Sequence, residues 1–142
     1  MRFLQAVAAD KEYFRRLNRA CYEDVITRQF GAWDEVQQNV NFEFKWPENR
    51  FRKIYVEDVL VGGVWIDDGP EFIQLRELQI HPDFQGQGIG TRVVKKEIAQ
   101  AQNQGKPIRL RVLFQNRAVE LYKWVGFKQI DQNEHQFIME CN

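Results

Sequence analysis

The chain has few of the residues that mark a disulfide-built, membrane-spanning or nucleic-acid-coating protein. It holds only two cysteines, Cys21 and Cys141, near opposite ends of 142 residues. Two cysteines so far apart offer no disulfide framework and no metal-ligand spacing, so a reducing compartment, the cytoplasm, is the expectation. Neither sign of charge is in excess: 20 basic and 20 acidic side chains cancel to a formal net charge of zero. No global field therefore draws the chain to nucleic acid or to an anionic membrane. No apolar run is long enough to cross a bilayer. The opening MRFLQAVAADKEYF turns polar too soon for the apolar core of a signal peptide. With four prolines and nine glycines, none gathered into a linker, and no repeat, the chain reads as one domain over residues 1–142.

Aromatic residues are plentiful: 11 Phe, 4 Tyr and 4 Trp, enough for a core or for an aromatic-walled pocket. Arg2–Val7 reads as a short strand. Phe14, Leu17 and Cys21 recur at helical spacing, which predicts a helix over Asp10–Tyr22 with Asp10 as its N-cap. A second helix is expected over Trp33–Phe44, ending before Pro47, with Trp33, Val36, Val40 and Phe44 on its core face. Arg52–Glu57 and Leu60–Asp67 read as a hairpin around Glu57-Asp58. Phe72–Ile80 alternates as a strand, but its apolar parity slips between Leu75 and Leu78, which suggests a bulge. Gly88–Gln104 is helical with Gly105 as C-cap. Ile108–Phe114 is a strand, Arg117–Val125 a helix closed by Gly126, and Phe127–Asp131 with Gln136–Cys141 a last hairpin. The order βααβββαβαββ implies an α/β fold, with helices packed on the faces of a mixed sheet.

The chemistry concentrates in Leu78-Gln-Ile-His-Pro-Asp-Phe-Gln-Gly-Gln-Gly-Ile-Gly90. A strand ends at Pro82, and glycines at 86, 88 and 90 then open an amphipathic helix. Glycine admits positive φ and close approach to a ligand, and the free N–H groups of a helix start favour a phosphate. A phosphate-binding turn over Gln85, Gly86, Gln87, Gly88, Ile89, Gly90 and Thr91 follows. It is not a P-loop, because Gly90-Thr91-Arg92 lacks the lysine. Nor is it a dinucleotide fingerprint, because Thr91 stands at the third glycine's position and no acidic ribose ligand follows.

Gln85-x-x-Gly88-x-Gly90 after this strand resembles the pyrophosphate-binding motif of the GNAT N-acetyltransferase superfamily. Asn116-Arg-Ala-Val-Glu-Leu-Tyr-Lys-Trp-Val-Gly-Phe127 resembles that superfamily's second signature, with Asn116 one residue closer to Tyr122 than in its commonest form. The resemblance covers essentially the whole chain. It implies a mixed, mostly antiparallel central sheet with helices on both faces, and acetyl-CoA as co-substrate with no metal. The acceptor it implies is a primary amine of a small molecule or peptide, with neither nucleic acid nor membrane as partner. A monomer or homodimer is expected. A non-catalytic acyl-CoA-sensing or partner-binding module of the same fold is the alternative.

The same resemblance assigns roles. Leu78, Gln79 and Ile80 hold the pantetheine arm through their backbone, the glycine turn holds the pyrophosphate, and Asn116 and Tyr122 complete the cofactor site. Tyr122 is the expected general acid, since a phenol of pKa near ~10 is protonated at neutral pH and suits a thiolate leaving group. Glu77 is the expected base, through a water, with His81 a second choice without an evident orienting partner. Trp33, Glu35 and Arg76 are the acceptor-binding candidates. Aromatic faces beside Asp34, Glu35 and Glu43 suggest a pocket for a cation.

Overall fold

A computed structural model describes the whole chain, Met1–Asn142. Its first half runs β1 (Arg2–Gln5), α1 (Lys11–Phe30), α2 (Glu35–Lys45), β2 (Phe51–Val56), β3 (Val59–Asp68) and β4 (Ile73–Ile80). The second half is α3 (Ile89–Asn103), β5 (Ile108–Leu113), α4 (Ala118–Val125), β6 (Lys128–Gln132) and β7 (Gln136–Cys141). The order of strands and α-helices is the one the sequence predicts. The strands form a seven-stranded sheet in the order β1-β2-β3-β4-β5-β7-β6. The β1–β2, β2–β3, β5–β7 and β6–β7 pairs are antiparallel and β4–β5 is parallel. Residues cluster into two compact units, Met1–Trp65 with Glu77–Phe84, and Ile66–Arg76 with Gln85–Asn142.

In the first unit the β2–β3 hairpin turns at Glu57 and Asp58, whose φ values of 49° and 67° are those of a turn that matches strand twist. Helix α1 runs past the expected end at Tyr22 to Phe30, because buried Val25 extends the stripe of Phe14 and Leu17 by two further turns. It stops at Gly31, φ 94°, whose N–H bonds to the Thr27 carbonyl. Asp10 precedes α1 as expected but makes no side-chain cap. Its carboxylate accepts from the Val7 N–H at 2.8 Å, closing the 3-10 turn Ala8–Asp10, and pairs with Lys53 Nζ at 3.2 Å.

The core of this unit is aromatic. Phe14 stacks on Phe51 with centroids 4.4 Å apart, Phe51 meets Trp65 edge-on, and Phe42 and Trp46 close the edge. Such ring pairs contribute ~0.5–1.5 kcal/mol each beyond the area they bury.

Helix α2 corrects the sequence expectation. Val36, Val40 and Phe44 are 74%, 56% and 84% exposed, and Trp33 lies ahead of the helix. The half-buried residues of the helix are Gln38, Asn39 and Phe42, and the exposed Glu43 carboxylate pairs with Lys11 and Arg15 of α1. Apolar spacing located the helix but not its inward face, which packs Phe42 against the aromatic core.

In the second unit Ile73–Leu75 of β4 pair with Ile108–Leu110 of β5, and β5 pairs along its length with β7. Opposed Arg109 and Glu140 form an ion pair at 2.7 Å, and Arg109 also covers the Phe72 ring at 4.4 Å. The buried face of α3 is Ile89, Val93, Val94, Glu97, Ile98 and Ala101, and α3 packs on β5 and α4. Along β4 the buried residues are Ile73, Leu75, Gln79 and Ile80. Gln79 keeps the parity of Ile73 and Leu75, but Ile80 beside it is buried as well, so strict alternation ends at Gln79.

Candidate functional site

The glycine turn is built as its composition requires. Gly86 and Gly88 have φ of 77° and 80°, a region that L side chains avoid. A Cβ at either position would meet nothing within 4 Å, so the turn's surface is open. Gly88 is the N-cap of α3, and the first intrahelical bond runs from the Arg92 N–H to the Gly88 carbonyl at 3.0 Å. The amides of Ile89, Gly90 and Thr91 therefore have no partner within the helix, which is the donor set an anionic oxygen takes. Gln85, Gly86, Gln87 and Gly88 are exposed, and Ile89 is buried and anchors the turn. The open cradle and its donors fit a pyrophosphate.

Helix α4 carries Tyr122, which is 8% exposed, with its ring edge-on to Phe127 at 5.7 Å. The Phe127 N–H returns to the Tyr122 carbonyl at 2.9 Å, and Gly126 at φ 117° closes the helix. The ring is thus both core and held in a fixed orientation. Asn116 accepts the Ala118 N–H on its side-chain oxygen at 2.9 Å and so shapes the start of α4.

In the first unit Glu77 belongs to a polar chain. The Tyr22 hydroxyl donates to Glu77 Oε2 at 2.7 Å. Gln79 Nε2 lies 3.3 Å from the same oxygen and 3.3 Å from Asn18 Oδ1. The Gln79 side chain is 2% exposed, and its Oε1 is buried without a hydrogen-bond partner. The Gln79 carbonyl lies 2.0 Å from where a Cβ on Gly62 would sit, so only glycine fits at 62. The Cys21 thiol donates to the Ile80 carbonyl at 3.2 Å, and burial, then the Glu77 charge, push its pKa up to about 12. Leu78 is half-buried on the same strand.

Sequence reasoning found Glu77 but missed Tyr22, Asn18 and the Gln79 side chain as its companions. A signal existed: Asn18 and Tyr22 are four apart on a helix, and Glu77 and Gln79 are two apart on a strand. His81 does have an orienting partner, since its Nδ1 accepts the Asp83 N–H at 3.1 Å, and its ring lies edge-on to Phe84.

Of the acceptor candidates, Trp33 and Glu35 come together. The Trp33 indole N–H donates to Glu35 Oε2 at 2.9 Å, and both line a groove between α1 and α2 with Arg15, Arg16, Arg19 and Asn18. Arg76 instead pairs with Asp67 at 3.1 Å on an exposed stretch of strand. The carboxylates expected to attract a cation are engaged. Glu35 pairs with Arg19 at 2.7 Å, Glu43 with Lys11 and Arg15, and Asp34 caps α2 by accepting the Gln37 N–H at 3.1 Å. No helix is long and apolar enough to cross a membrane.

Residues 18–137 match the family described as acetyltransferase (GNAT) domain. The chain belongs to the GNAT acetyltransferase family. A mouse thialysine N-epsilon-acetyltransferase is 39% identical over 64 residues, covering 44% of this chain and 38% of the relative. An uncharacterized N-acetyltransferase of Methanocaldococcus jannaschii is 35% identical over 99 residues, covering 61% of this chain and 44% of the relative. The GNAT chain thus spans less than half the length of these curated relatives. Among solved structures, the PaiA N-acetyltransferase of Thermoplasma acidophilum, crystallised with coenzyme A, superposes with a TM-score of 0.81 at 18% identity. That match covers 99% of this chain and 98% of the other. The Escherichia coli ribosomal-protein-S18-alanine N-acetyltransferase gives 0.68 at 14% identity, over 99% and 92%. These likenesses establish the GNAT fold.

Proposed function

We propose that this GNAT domain transfers acetyl from acetyl-CoA to a primary amine of a small molecule or peptide. The observation that carries the reading is the open glycine turn, with Gly86 and Gly88 at positive φ and the α3 amides without intrahelical partners. The name of the thialysine N-epsilon-acetyltransferases, and the coenzyme A in the Thermoplasma structure, support the same chemistry.

In this reading the amides from Gln85 to Thr91 hold the pyrophosphate, the backbone of Leu78, Gln79 and Ile80 holds the pantetheine arm, and Asn116 and Tyr122 complete the site. Bound acetyl-CoA supplies an acetyl group activated as a thioester. Glu77 removes a proton from the acceptor ammonium through a water, which is needed because an alkylammonium of pKa near ~10 has no free electron pair at neutral pH. Tyr122 gives its hydroxyl proton to the departing sulfur. Trp33 and Glu35 belong to the acceptor groove, and Arg76, paired with Asp67, binds an acidic group of the acceptor. The free thiols Cys21 and Cys141 support a cytoplasmic setting. The test is release of CoA thiol with a panel of amines. Binding of acetyl-CoA without turnover on any amine would favour an acyl-CoA-sensing module.

A further inference from the structure

The Tyr22–Glu77–Gln79–Asn18 chain has a geometry that a structural role does not explain. Both donors reach the same carboxylate oxygen, Glu77 Oε2: the Tyr22 hydroxyl at 2.7 Å and Gln79 Nε2 at 3.3 Å. Two donors occupy the lone pairs of that oxygen. The other oxygen, Oε1, is left to receive a proton. The amide orientation of Gln79 follows from the chemistry, because a carboxylate only accepts and the Gln79 nitrogen must therefore face it. That orientation leaves Gln79 Oε1 buried without a donor. A buried amide with an orphaned carbonyl is less stable than an apolar side chain of the same length.

We infer that Tyr22 and Gln79 are positioning residues for Glu77, fixing its carboxylate so that Oε1 is the proton-accepting atom. This rests on the reading of Glu77 as the base. In the step, an N–H bond of the acceptor ammonium breaks and an O–H bond forms at Glu77 Oε1, directly or through one water. The nitrogen keeps the electron pair it uses for attack. Gln79 Nε2 also bonds Asn18 Oδ1, and Asn18 lines the α1–α2 groove, so the same amide ties the base to the wall of that groove. The stability lost at Gln79 is the mark of a residue kept for geometry.

The test compares Gln79→Met, Tyr22→Phe and Glu77→Gln, singly and combined, by CoA release with an accepted amine and by thermal unfolding. Gln79→Met keeps the length and removes both amide groups, and Tyr22→Phe keeps the ring. Each should lower kcat about tenfold, with KM for acetyl-CoA within about twofold of wild type. Gln79→Met should melt at or above the wild-type temperature, a result that a structural role would not give. In the Glu77→Gln background neither change should lower kcat further. Full kcat in both single variants, or losses that add to that of Glu77→Gln, would overturn the positioning role and leave Glu77 as base. Full turnover by Glu77→Gln would remove the base reading and the positioning role with it. Should Gln79→Met fail to fold, Tyr22→Phe decides the question alone.

Discussion

Arg19 and Glu35 face each other across the α1–α2 groove, with Nη1 2.7 Å from Oε2, and the same carboxylate oxygen accepts the Trp33 indole N–H. A carboxylate so engaged presents little net charge to a ligand. The wild-type domain should therefore discriminate weakly between polyamines and zwitterionic amino acids of similar size. Arg19→Ala releases Glu35, and KM for a polyamine should then fall several-fold while that for a zwitterion does not. Steady-state kinetics on matched amines measures this. An unchanged ratio in Arg19→Ala would place the acceptor elsewhere.

Acetyl-CoA should raise the melting temperature of the wild type, by the equivalent of about 2.7 kcal/mol at a hundred times Kd. Gly88→Asp should lose that shift while still folding. The aspartate forces a side chain into the φ 80° position and puts a negative charge at the start of α3. A shift of wild-type size in folded Gly88→Asp would remove the cofactor from the glycine turn.

Tyr122→Phe retains the ring that packs edge-on to Phe127 and removes only the hydroxyl. Turnover is expected to drop about 10²-fold, with cofactor affinity and melting temperature nearly unchanged. Wild-type kcat in this variant would mean that the thiolate leaves without Tyr122.

Tyr13 and Cys21 make stability fall at alkaline pH. Burial is the first cause in both, raising Tyr13 from 10.0 to about 12 and Cys21 from 9.0 to about 12. Between the unfolded and folded values the native state holds protons that the unfolded chain has released. Their contribution is thus complete below pH 9 and declines as pH rises toward 12. Melting temperature against pH should bend downward over that range. Tyr13→Phe should flatten the bend. It should also add about 1 kcal/mol at neutral pH, because the Tyr13 hydroxyl is buried without a hydrogen-bond partner. A destabilised Tyr13→Phe would contradict this.

Much of the fold could be read locally. Helix stops at Gly105 and Gly126, the Glu57-Asp58 turn and the open glycine cradle follow from the residues themselves, because positive φ and apolar period are properties of short stretches of chain. The two signatures around Gly88 and Tyr122 carried the family for the same reason. Tertiary structure alone decided how polar groups pair over long separations. Glu43 of α2 pairs with Lys11 and Arg15 of α1, while Val36, Val40 and Phe44 stay in solvent. Glu77 finds Tyr22 across 55 residues, and Gln79 finds Asn18 across 61. A side chain's partner depends on which surfaces the fold brings together, and charge and hydrogen bonding act through space over a few ångströms whatever the distance along the chain.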